Sequence, residues 1–107
     1  MHTFVASEKV VGAALALSPS GRITETQLGQ LETFIYTRAP QYTILFSSES
    51  VNSALSTYRS VFHMENDESF VLADGENSKR SAINYFVNTL EDHFLSLMRE
   101  YFDTQME

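Results

Sequence analysis

The only side chains in this sequence that titrate near neutral pH at their ordinary values are His2, His63 and His93. None has a second histidine at helical spacing, and there is no His-Glu-x-x-His run to hold a catalytic zinc. His63-Met64-Glu65 has the His-x-Glu order of zinc deaminases, but those sites also need a Cys-x-x-Cys pair, and the chain has no cysteine. His63 is therefore read as a solvated loop histidine. His93 follows Glu91-Asp92 and precedes Glu100 by one heptad, and is read as a half-exposed imidazole bonded to a neighbouring carboxylate.

The densest group of chemically able side chains is acidic. Glu65, Asp67, Glu68, Asp74 and Glu76 fall between residues 63 and 78 with no lysine or arginine before Lys79. Calcium takes several oxygen ligands from such a loop, but an EF-hand loop with Gly75 at its sixth position would begin at Phe70, which cannot coordinate. These five acids are read as a solvated surface facing a partner. Leu72-Ala73-Asp74-Gly75 is similar to the Ala-Asp-Gly turn of tellurite-resistance TerB-like helical domains. Lys79 and Arg80 follow where that family tends to place acids, so the turn does not carry the family.

Nucleophiles fare no better. Gly-x-Ser-x-Gly and Ser-x-x-Lys are absent, and the many serines suit caps and turns. Four scattered glycines cannot build a Gly-x-Gly-x-x-Gly or Walker-type phosphate loop. The adjacent pairs Asp67-Glu68 and Glu91-Asp92 diverge on a helix, so neither makes a ready acid–base couple. No metal, cofactor or catalytic residue is expected, and the chain is read as non-catalytic.

Charge narrows the partners. Seven basic against fourteen acidic residues give a formal charge of -7, which repels phosphate backbones and anionic membranes alike. A basic protein is the complementary partner. No apolar run approaches the ~20 residues of a membrane span. Val10 to Leu17 could serve as the apolar part of a secretory leader, but Glu8 sits where such a leader is basic. A buried helix is the better reading, and a cytoplasmic location is expected.

The elements that must position these residues are helical in the main. Ser7 can cap a helix to Leu17, ended by Pro19-Ser20-Gly21. Thr24 can cap a second, with Leu28, Leu31 and Ile35 on one face and Pro40 forbidding extension. Tyr42 to Phe46 favours a strand by propensity but is too short for its period to decide. From Ser48 or Ser50, the positions Val51, Leu55, Tyr58 and Phe62 form a third helical stripe. After Ser78 the positions Ile83, Val87, Leu90, Phe94, Leu97 and Tyr101 make a heptad seam, flanked by Ala82, Phe86, Leu95, Met98 and Phe102.

These elements point to a single domain of mostly α class, a bundle of four or five helices with a long C-terminal helix. A small α+β fold is the alternative if residues 42–46 and 70–72 pair as strands. The apolar width of the last helix implies a homodimer through Phe94, Leu95, Leu97, Met98, Tyr101 and Phe102, unless the chain's other helices enclose it. The function expected is a small acidic interaction protein: an inhibitor, an immunity or antitoxin-like protein, or an adaptor. Two rivals are a secretion or assembly chaperone, and a ligand-binding or enzymatic domain whose pocket is lined by Phe34, Tyr58, Phe86 and Tyr101.

Overall fold

Helix α1 (Ser7–Leu17) carries valine, alanine, glycine and leucine on every face, the composition of a helix that meets protein all round. In the computed structural model, which describes residues 3–66, 68–73 and 75–105, it lies at the centre of the core. Residues Val10 to Ala16 are all buried. The Val10–Leu17 stretch is thus a core helix, with the other elements wrapped around it. Its one glycine is a packing site: a Cβ on Gly12 would stand 2.0 Å from Cδ2 of Phe86, so the aromatic ring lies directly on the helix backbone.

Before α1 runs strand β1 (Thr3–Ala6), and after it a turn at Gly21 (φ 67°) leads into β2 (Arg22–Thr24). Thr24 then caps α2 (Glu25–Arg38) as expected. Its Oγ1 accepts from the Gln27 N–H at 3.0 Å, while Gln27 Oε1 accepts from the Thr24 N–H at 3.0 Å. Leu28, Leu31 and Ile35 are the buried stripe. Past Pro40 comes β3 (Tyr42–Leu45), followed by α3 (Ser48–Thr57) with a Ser47–Ser50 capping box. The hairpin of β4 (Phe62–Glu65) and β5 (Ser69–Leu72) turns at Asn66, whose positive φ of 57° suits asparagine. Helix α4 (Gly75–Tyr85), a 3-10 turn (Val87–Thr89) and α5 (Asp92–Gln105) complete the described chain.

The strands form two small sheets. β1 and β3 pair in parallel, with Thr3 opposite Tyr42 and Val5 opposite Ile44; β5 lies between β2 and β4, antiparallel to both. Helix dominates, yet the five strands make an α+β description fit as well as a mostly α one. Three expectations need correction. Residues 42–45 and 69–72 are both strands, but each pairs elsewhere and not with the other. The third helix stops before Phe62, which is turned into β4 opposite Leu72 yet still faces the core. The heptad seam is no single helix, because α4 closes at Tyr85 and the Leu90 backbone is extended (ψ 152°). Thr89 gives the local reason: its hydroxyl donates to the carbonyls of Tyr85 and Phe86, both at 3.0 Å, competing with the helical ladder.

Candidate interaction face

Of the five acids expected to face a partner, three are described: Glu65 and Glu68 flank the β4–β5 turn and Glu76 lies on α4. Glu65 ends β4 and is paired with Arg22 across the sheet at 2.9 Å. Glu68 is exposed just ahead of β5, and its carbonyl accepts from the Glu25 N–H at 2.9 Å. Glu76 is exposed on the first turn of α4, beside a hollow that Lys79 also lines. Asp67 and Asp74 lie outside the described residues, as does His2. The first part of the acidic stretch between residues 63 and 78, read as a loop, is a hairpin, with Phe62 and Phe70 buried and His63 exposed on strand β4 and not in a loop.

The six residues assigned to self-association lie inside the chain's own core. Phe94, Leu95, Leu97, Met98, Tyr101 and Phe102 are between 0 and 9% exposed, on an α5 that packs against α1 and α2. Tyr101 is fixed further, its hydroxyl 3.1 Å from the Gln27 carbonyl and 3.2 Å from Gln30 Oε1. These six therefore leave no second apolar face that a further copy would have to cover. The proposed pocket aromatics also separate. Phe34 meets Tyr101 edge-on at 5.6 Å and lies under the Arg38 guanidinium at 3.6 Å. Tyr58 meets Phe86 edge-on at 4.9 Å in a different cluster.

Of the four large apolar side chains exposed among the described residues, three lie on or beside the β1–β3 sheet, and the fourth, Tyr85, ends α4. Alternation along the strands turns Val5 and Tyr42 inward and Phe4 and Leu45 outward, where they are 67% and 50% exposed. Tyr36, 61% exposed, stands on α2 next to the outer edge of β3, and with Glu32, Tyr42 and Ile44 it lines a hollow of about 390 Å³. Parallel sheets ordinarily have both faces covered, and here one face carries large bare side chains. Nothing in the sequence reading singled out Phe4, Tyr36 or Leu45. For Phe4 and Leu45 the signal was a period of two over only four residues, which is too short to separate strand from helix.

The floor of this sheet is tied down by polar contacts. The Tyr42 hydroxyl donates to Glu91 Oε2 at 2.6 Å, and its ring packs edge-on against Phe94 at 5.1 Å. His93, exposed on the first turn of α5, lies over the same ring at 5.9 Å. Burial pushes the Tyr42 phenol up to about 12, and the Glu91 carboxylate, as acceptor and as negative charge, pushes the same way. Other polar side chains hold local structure: Ser18 donates to the Arg22 carbonyl at 2.9 Å, and Ser7 to Ser50 Oγ at 3.2 Å. Among the described residues no three histidine, aspartate or glutamate side chains come together to hold a metal ion.

Comparison with protein-family models, with curated proteins and with solved structures gives no match in any of the three. Among the described residues no helix is long and apolar enough to cross a membrane.

Proposed function

We propose that this chain is a non-catalytic protein-interaction domain that binds a basic partner through the face and edge of its β1–β3 sheet. The observation that carries the reading is the outward pair Phe4 and Leu45 on a two-stranded sheet, with Tyr36 beside it. Such a group of bare apolar side chains is the centre of a contact surface in need of a cover. The charge of -7 makes the complementary surface a basic one. An inhibitor, immunity or antitoxin-like role, or that of an adaptor, requires no more than this surface and a stable scaffold.

Substitution on the face separates recognition from folding. Phe4→Ser with Leu45→Ser removes exposed side chains, so the melting temperature is expected to stay within a few degrees of the parent. Partners captured from the native cell by the parent chain should be lost by this variant, as read by quantitative mass spectrometry. Capture that is unchanged in the double variant would overturn the reading.

A further inference from the structure

The outer edge of β3 is open, and its groups are set for a further strand. The bond from the Thr3 N–H to the Gln41 carbonyl at 2.7 Å fixes the phase of the parallel ladder: Thr43 turns toward β1, while Tyr42 and Ile44 turn away. The Tyr42 N–H is taken by the Ala39 carbonyl at 3.1 Å, and the Ile44 carbonyl accepts from the Phe46 N–H at 3.2 Å. That leaves the Tyr42 carbonyl and the Ile44 N–H directed off the sheet, toward no strand among the described residues. An unpaired edge of this kind templates pairing with another chain.

Two hollows follow one another along that edge. The first, about 390 Å³, lies between Tyr42–Ile44 and the α2 side chains Glu32 and Tyr36. The second, about 410 Å³, begins at Phe46 and is lined by Val51, Met64 and, from the start of α2, Glu25. Of the described residues lining either hollow, Glu25 and Glu32 are the only charged ones, and none is basic. The cations nearest in sequence are both engaged, Arg22 by Glu65 at 2.9 Å and Arg38 by the Phe34 ring and by Glu100 at 3.8 Å. A second copy of a chain with this charge would bring its own acids to the same groove, whereas a cationic segment neutralises them.

We infer that the β3 edge is a strand-docking site, and that it takes an extended, basic segment of a partner protein laid in the groove between β3 and α2. The inference rests on the interaction reading above and names the chemistry of its partner. Backbone pairing to Tyr42 and Ile44 supplies the register. Lysine or arginine on the positions that face the hollows lays its stem against Tyr36, Phe46 and Val51 and its charged head on Glu25 and Glu32, which stand two helical turns apart, about 10 Å. Apolar residues on the intervening positions point to the opposite face, where they extend the bare surface of Leu45.

The test uses three capped nine-residue peptides: alternating lysine and valine, alternating glutamate and valine, and the lysine–valine peptide with a central proline. Each is titrated into the full chain and followed by backbone amide shifts. The lysine–valine peptide is expected to shift amides of 42–46 and 25–36, and the other two to bind at least tenfold more weakly. Glu25→Lys with Glu32→Lys, at an exposed and a half-buried position, should leave the chain folded with a melt lowered by no more than a few degrees, since Glu25 sits in the first turn of α2, and should weaken the lysine–valine peptide at least tenfold. Equal binding of both charge types, shifts confined to Thr3–Ala6, or no binding would overturn the strand site. So would dilution-dependent shifts of the 42–46 amides in the chain alone, which would place a second copy there. A captured partner that is lost with Phe4→Ser and Leu45→Ser, but kept with Glu25→Lys and Glu32→Lys, would overturn this inference while leaving the interaction reading standing. A partner kept by both double variants would overturn the two together.

Discussion

Tyr42 holds the inner floor of the open sheet, joining β3 to the start of α5 through Glu91. Its phenol is pushed up to about 12 in the folded chain, against 10.0 ordinarily, so folding favours the protonated form. The associated stability is fully present below pH 10 and is lost as pH rises from about 10 to about 12. Tyr58 and Tyr101 are raised as well, both chiefly by burial and Tyr58 further by Glu8, and they act in the same direction. Thermal melts are therefore expected to fall across that window, with tyrosinate absorbance appearing later than in a denatured control. Tyr42→Phe should reduce the slope and lower stability at neutral pH by about 1 kcal/mol, because the exposed Glu91 left behind is solvated. Gly12 sets a harder limit. With the Phe86 ring 2.0 Å from where a Cβ would stand, Gly12→Ala should cost about 1–3 kcal/mol as overpacking, read by denaturant melts. Phe86→Leu in the same chain should cost less than the sum of the two single changes, since it makes the space the methyl group needs.

At the scale of elements, burial on α5 decides between a subunit interface and a core. Leu95 and Met98 are 5% and 0% exposed within one chain, so Leu95→Glu with Met98→Glu places two unpaired charges in an apolar interior. The cost exceeds what a domain with about 5–15 kcal/mol of stability sustains, and circular dichroism should show an unfolded chain. A folded monomer from that variant would instead make α5 an interface. Helices were the legible part of this sequence. Ser7–Leu17 carries a full apolar face and a stop, though its N-cap is Ala6 with no side-chain bond and not the expected Ser7, and Glu25–Arg38 carries cap, stop and apolar stripe within one element. Strands were less so, because β1, β3, β4 and β5 are four residues each. Residues 42–46 and 70–72 could be named as possible strands, but the partners of β3 and of β2 lie far along the chain, and the β4–β5 hairpin turns without an Asn-Gly or Asp-Gly pair to mark it. The spacing from Ile83 to Tyr101 misled for a physical reason: two helices on one core keep their apolar residues in helical step even where Thr89 and Leu90 break the backbone between them. The candidate site was legible only as acidity. Phe4, Tyr36 and Leu45 are ordinary apolar residues in sequence, and only the two-stranded sheet leaves them bare.

At the scale of the whole molecule the formal charge is -7. Arg22 is spent on Glu65 and Arg38 on Glu100, while Glu25 and Glu32 flank the β3 groove without a basic neighbour among its lining residues. Exposed charges act over a screening length of roughly 8–10 Å at physiological ionic strength, so this field works mainly on approach and orientation. Apolar contact at Phe4, Leu45 and Tyr36 works after docking, and is not screened. The two contributions separate in kinetics. Association with a basic partner, or with the lysine–valine peptide, is expected to slow by roughly tenfold or more between low and 0.5 M salt. Dissociation should change far less with salt, and should quicken in Phe4→Ser with Leu45→Ser. Stopped-flow or surface-based kinetics at several ionic strengths reads both rates at once. An association rate flat with salt would reduce the acidic surface to a device for keeping copies apart. A dissociation rate indifferent to Phe4 and Leu45 would move the contact off the β1–β3 sheet.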